Sequence, residues 1–408
     1  MFTHRFLISV VLMSLACDSL SAQNIPDSCG VRDWFRLREK VAQGGSSLLC
    51  TGVVDVAFEH RSEAERELKE VIRKAPQSDD ALDAHRTLVS LYFRHGQYRE
   101  ALAQTEQGLL EKPDAKDLKE LRSMLTVLAG FRDLRVAHSA RSAVQAETIG
   151  DDLVVPITIH KASADYGLDT GANISIMSES EAKRLGLTVH ETATKMSDIG
   201  GTPSVIRLAE APELWIGGAH LRNVAFAVFP DGNEPFVDLP SGHRGILGIP
   251  VLLALGSLRL EKKSRIVVGP AQATAAERSL PLAFDGQNPL IQIVFRGKPL
   301  TFTLDTGADT TDLYEPFADA FPALMQTGQH EQKKLTGVSG SSFQQSIVVP
   351  SIRFALAQGV EVNLAPAVVI LHTTTDTSKW TAGNFGVDLL DQALPVTIDF
   401  RAMQVRFP

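Results

Sequence analysis

Cysteine is scarce, with three in 408 residues, which excludes a small fold framed by disulfides and leaves no cysteine-rich zinc motif. A basic surplus is absent too. Forty Lys and Arg stand against 48 Asp and Glu, for a formal net charge of −8, which argues against a nucleic-acid binder working through a broad basic surface. The eleven histidines form no HExxH or other two-histidine metal spacing, so a zinc site has no support and no metal or cofactor is expected. There is no GxSxG elbow, P-loop or dinucleotide fingerprint. Asp309 and Asp312 are acidic neighbours without the spacing of a calcium loop. Past residue 22 the longest apolar run, Ile246–Gly256, is far too short to span a bilayer. What is present is globular composition, 44% hydrophobic and 22% charged, at a length suited to two or three domains.

The first 22 residues differ from the rest. His4 and Arg5 make a short basic start, Phe6–Ala16 is apolar, and small residues follow at Ser19, Ser21 and Ala22. This is the pattern of a cleaved secretory signal, predicting an exported protein, periplasmic or secreted. Lipoprotein anchoring at Cys17 is the less favoured alternative, because Ser14 stands where a branched apolar residue is usual. Cleavage near Ser21 or Ala22 leaves Cys29 and Cys50, which an oxidising compartment would allow to pair and which otherwise stay as two buried thiols.

From about residue 60 to 128 the apolar period is helical. Ser62 with Glu65 reads as a capping box, Ser78 as the cap of a second helix, and Gly96 and Pro113 as breaks before a third and fourth. The stretch Leu88–Pro113 resembles a tetratricopeptide repeat, with Leu88, Tyr92, Gly96, Ala101 and Pro113 at its packing positions. Ala64 and Pro76 precede Ala101 and Pro113 by 37 residues, a weaker first copy. The segment reads equally as a helical cap on the next domain and as a docking surface for a protein partner.

From residue 150 onward short β-type runs are punctuated by glycine, and they come in two sets. Asp169-Thr170-Gly171-Ala172 in the first matches Asp305-Thr306-Gly307-Ala308 in the second. Downstream, Ile246-Leu247-Gly248 matches Asn384-Phe385-Gly386, with Asp-to-Gly separations of 79 and 81 residues. Leu258 and Val396 open the closing strands, each ten residues past that glycine. A given four-residue string turns up on the order of once per hundred chains of this length, so two copies with matched flanks predict a tandem duplication. The boundaries read as a signal over 1–22, a helical segment over 23–130, a linker over 131–149, β domains over 150–269 and 281–408, and a linker over 270–280.

Both β sets resemble retroviral-type (retropepsin-like) aspartic proteases, and the chain from 150 to 408 is similar to a bacterial member with two such domains. The resemblance implies a mainly β part in which the domains form an internal pseudo-dimer behind the helices, a multidomain α+β chain overall and a monomer. It implies an aspartic endopeptidase in which Asp169 and Asp305 share a water and a peptide substrate lies extended. Thr170 and Thr306 would tie the two loops together, and Gly171 and Gly307 would let backbone support the carboxylates. Ala172 and Ala308 stand where pepsin-like enzymes carry a hydroxyl, which should raise the pair's apparent pKa. Ile199–Thr202, with Gly200 and Gly201, and Gly337–Gly340 are flap candidates. Asn173 and Asp309 fall where the family contacts substrate backbone, and only Asp309 matches its residue type. Asn384 departs from the apolar residue expected before Phe385-Gly386. The competing reading keeps the fold and drops the catalysis, leaving a peptide-binding or assembly scaffold.

Overall fold

The computed structural model describes residues 25–149, 152–197, 203–262, 264–272, 277–337, 340–373 and 377–408. The signal candidate with Cys17, the flap glycines Gly200 and Gly201, and residues 338–339 lie outside them.

Six helices come first: α1 (Trp34–Ala42), α2 (Leu48–Ala57), α3 (Arg61–Lys74), α4 (Asp79–Arg94), α5 (Tyr98–Glu111) and α6 (Lys116–Leu128). Asp33, Ser47 and Ser78 each accept a hydrogen bond from the backbone N–H three residues on, so each caps the helix that begins after it. The capping box expected at Ser62 is not formed. The N-cap of α3 falls two residues earlier, at His60, and its first turn is capped by no side chain. The periodicity from residue 60 also missed α1 and α2. A disulfide joins Cys29, in a short 3₁₀ turn, to Cys50 in the first turn of α2.

The β part holds two large sheets. The first has nine strands drawn from residues 135–247. The second has thirteen, and it is not confined to the second half of the chain. Its run Ser142–Gln145, Arg265–Val268, Ser257–Glu261, Val396–Asp399, Gln404–Phe407 and Arg278–Asp285 interleaves strands from both halves. The two closing strands lie side by side, with Ser257 opposite Asp399, Leu258 opposite Ile398 and Leu260 opposite Val396. The stretch 131–149, expected as a linker, carries three strands, Arg135–Ser139, Ser142–Gln145 and Glu147–Ile149. They pair with Ala219–Phe229, Arg265–Val268 and Asp152–Ile159 respectively. Short strands of mixed polarity read as linker locally, because their partners lie up to ~120 residues away and only those partners satisfy their backbone groups.

The helical unit is bonded to both halves. Trp34 donates its indole N–H to Asp285 at 3.2 Å, Thr301 donates to Asp33 at 2.6 Å, and Gln287 donates to the Ser90 carbonyl at 3.1 Å. Arg94, fully buried, donates to Glu59 at 2.8 Å, to the Val56 carbonyl at 2.9 Å and to the Gly286 carbonyl, and lies 4.4 Å over the Phe284 ring. Toward the first half, the Ala193 N–H donates to Ser123 of α6 at 2.9 Å, and Phe131 meets His190 edge to face.

Candidate active site

Each DTGA loop leaves the end of a strand, Ala162–Leu168 in the first half and Lys298–Leu304 in the second. A three-residue strand lies parallel to each of these ends: Gly245–Leu247, with Leu247 beside Leu168, and Gly383–Phe385, with Phe385 beside Leu304. The Asp169 N–H then donates to the Leu247 carbonyl and the Asp305 N–H to the Phe385 carbonyl, both at 3.0 Å. The Ile249 N–H returns to the Ala172 carbonyl and the Val387 N–H to the Ala308 carbonyl, both at 2.9 Å. Ser175 accepts from the Gly248 N–H as Thr311 accepts from the Gly386 N–H. The two loops are therefore held bond for bond in the same way.

They are also tied to one another. The Thr170 hydroxyl donates to the Leu304 carbonyl at 2.6 Å while accepting from the Thr306 N–H at 2.9 Å. The Thr306 hydroxyl donates to the Leu168 carbonyl at 2.8 Å while accepting from the Thr170 N–H at 3.0 Å. These four crossed bonds press the two aspartates together. The loop glycines are where the approach is tightest. A Cβ on Gly171 would stand 2.8 Å from the Asp305 carboxylate, and one on Gly307 would collide with the Asp169 carboxylate.

Asp169 and Asp305 are 2% and 5% exposed. Asp169 Oδ1 accepts from the Gly171 N–H at 2.6 Å and Asp305 Oδ1 from the Gly307 N–H at 2.9 Å. Burial, and then the charge of Asp305, push the Asp169 carboxyl well above the ordinary aspartate range. Burial raises Asp305 as well, against the pull of a hydrogen bond from Asn384. Two buried carboxyls in electrostatic contact titrate as a unit that retains a proton where separate aspartates would have lost theirs.

The other expected residues are distributed around this pair. Ala172 and Ala308 are buried beneath the loops. Asn173 is buried with neither its amide nitrogen nor its oxygen hydrogen-bonded. Asp309, half-buried, lines a cleft of about 560 Å³ that reaches Asp169 and Gly307 and is walled by Leu168, Leu239, Ile246 and Leu258. The strands expected to carry flaps are antiparallel pairs, Val189–Ser197 with Pro203–Ile216 and Gln329–Gly337 with Gly340–Val349. Two features of the site were missed in the sequence. Asn384 donates to Asp305, and Lys333, on the second of these hairpins, is ion-paired with the buried Asp312. Each could have been found by setting the halves side by side, since Asn384 and Asp312 fall opposite Ile246 and Ile176.

Residues 155–251 match the family model for aspartyl proteases. This half is similar to aspartyl proteases. The matched stretch contains Asp169 and runs through Gly248, and it stops short of the second DTGA. A crystal structure of a retropepsin-like aspartic protease from Rickettsia conorii is similar over 35% of this chain and 96% of its own, at 16% identity and a TM-score of 0.24. No curated protein matches the chain.

Proposed function

We infer that the protein is an aspartic endopeptidase with one site shared between its halves, hydrolysing peptide bonds in extended segments with Asp169 and Asp305. The observation that carries this reading is the crossed pair of threonine bonds, which holds two buried, mutually coupled carboxyls where a single loop would hold one.

The chemistry comes from one proton on two acids. The ionised carboxylate takes a proton from a water as its oxygen attacks the scissile carbonyl carbon, while the protonated carboxyl gives its proton to the carbonyl oxygen. The resulting gem-diol collapses: the C–N bond breaks, the leaving nitrogen takes the proton the first carboxylate had gained, and one gem-diol hydroxyl returns its proton to the second carboxylate, which restores the singly protonated pair. No covalent enzyme intermediate and no cofactor enters. The unpaired amide of Asn173 and the half-buried carboxylate of Asp309 are suited to the N–H and C=O groups of an extended backbone. The two hairpins would close over that backbone.

Both carboxyls are raised, so the singly protonated pair persists to higher pH than two ordinary aspartates would allow. Activity is expected at mildly acidic to neutral pH, and a rate profile peaking below about pH 3 would contradict this. The Cys29–Cys50 disulfide supports an exported, oxidising location. The paired closing strands support a monomer with an internal pseudo-dimer, with the helical unit as a docking surface or cap. The test is to incubate the protein from residue 23 with a diverse unstructured peptide mixture between pH 4 and 7.5 and read new termini by mass spectrometry. Discrete internal cuts are expected. Silence across that range, with folded protein, would move the reading to a non-catalytic scaffold.

A further inference from the structure

The two halves hold their aspartates alike except at one place. In the first half Ile246 lies in register with Gly167 on one side and Ile176 on the other. In the second half Asn384 lies in register with Thr303 and Asp312. Asn384 is buried, and its Nδ2 donates to Asp305 Oδ2 at 2.9 Å. Its Oδ1 accepts from the Thr303 hydroxyl at 2.5 Å. Asp305 thus receives donors on both oxygens, Gly307 N–H on one and Asn384 on the other. Asp169 receives the Gly171 N–H on Oδ1, whereas its Oδ2 is buried and receives no hydrogen bond.

We propose that Asn384, oriented by Thr303, is a positioning residue that breaks the equivalence of the two aspartates, holding Asp305 as the ionised member and leaving the shared proton on Asp169. This rests on the endopeptidase reading and assigns its roles: Asp305 activates the water, Asp169 faces the scissile carbonyl oxygen, and a peptide is cut in one of its two directions across the site. An amide could be turned the other way, accepting from a protonated Asp305. The Thr303 hydroxyl would then lose its 2.5 Å acceptor and be left with the Gly383 carbonyl at 3.3 Å, and the charge would fall on Asp169, which has fewer donors. A buried charge belongs where the donors are.

Other groups that titrate or carry charge face the pair. Asp312, beside Asn384, is ion-paired with Lys333 from the neighbouring hairpin. Asp388 accepts from the N–H and hydroxyl of Thr311, Asp309 lies just after the second loop, and burial pushes the Tyr314 phenol far up, keeping it neutral. None of them donates to either catalytic carboxylate among the described hydrogen bonds.

The test is a titration of the pair by NMR of aspartate labelled at the side-chain carboxyl carbon, with Asp169→Asn and Asp305→Asn for assignment, in the full chain and in Asn384→Ile and Thr303→Val. The isoleucine copies Ile246, and Thr303→Val keeps its shape, so one informative variant remains if the other fails to fold. Losing the donor must raise the lower apparent pKa of the pair, by about one pH unit in Asn384→Ile and less in Thr303→Val. The acid limb of the kcat/KM profile should move up with it while the alkaline limb moves less. An unchanged or lowered value in both variants overturns the proposal, a lowered one because it marks the turned amide. If the pKa rises but wild-type protein cuts no peptide, the proton assignment stands and the endopeptidase reading falls. If peptides are cut with no rise, the reverse holds.

Discussion

At the scale of single residues, the threonine hydroxyls that satisfy backbone groups of the opposite loop set the geometry in which the two aspartates meet. Replacing Thr170 or Thr306 with valine strands a carbonyl of the opposite half, Leu304 or Leu168, and the N–H that the hydroxyl had accepted. Each change should lower stability by about 1–3 kcal/mol, and because the bonds are reciprocal the double change should cost less than the sum, as a double-mutant cycle of urea midpoints would show. Additive losses would mean that the loops do not hold one another. The aspartates work against the fold. Asp169 has its folded pKa raised, so its favourable contribution is complete at low pH and is lost as pH rises through that raised value. Asp169→Asn should therefore raise the melting temperature, by more at pH 8 than at pH 4. A difference that does not grow with pH would contradict the buried, coupled pair. Asn384 looked in the sequence like a flaw in an apolar motif. Its polarity was the legible signal, and its partner Asp305, 79 residues away, was not.

At the scale of elements, local chemistry was legible where it is self-contained. Ser78 caps α4, and Ser178 accepts from the Glu181 N–H at the start of the short helix Glu179–Arg184. Expectation failed at Ser62, where the chain enters α3 through His60, whose ring lies 2.9 Å from Asp55 and caps no N–H of the helix. It failed again over 131–149, because each of these short strands pairs on one side only, at a sheet edge, and two of them bury no residue, so they carry little alternation to read. The same elements carry the docking of the helices. Burial pushes Glu59 up, but the charge of Arg94 and the bond and charge of His95 outweigh it and hold its carboxyl at about 2. A depressed carboxyl stabilises the fold above its unfolded value, near pH 4.5, and that contribution drains away as pH falls toward 2. Arg94→Met leaves the Glu59 charge buried with His95 alone, and should cost about 3–5 kcal/mol at pH 7 by urea unfolding. A loss under about 1 kcal/mol would show that the contact between α4 and Phe284 is dispensable.

At the scale of the whole molecule, the helical unit is bonded to both β halves and the halves share a sheet, so the parts hold one another in place. We expect removal of residues 23–130 to lower the melting temperature and not to raise activity, since on the second half Asp285 would lose its Trp34 donor and the Gly286 carbonyl its Arg94 donor. A truncated chain that is stable and faster would show that the helices inhibit. The doubling of DTGA was legible because each copy is local, whereas the sheet that joins the halves depends on pairings such as Leu258 with Ile398, about 140 residues apart. The central claim is that one dyad uses one aspartate from each half. It is tested most directly by measuring peptide cleavage by Asp169→Asn and Asp305→Asn, each alone, beside the unaltered protein at the same pH. The shared site predicts that either change lowers the rate by about 10²–10⁴-fold. Half the activity surviving either change would contradict it, because sites that pair like aspartates between two chains would each lose only one of two dyads.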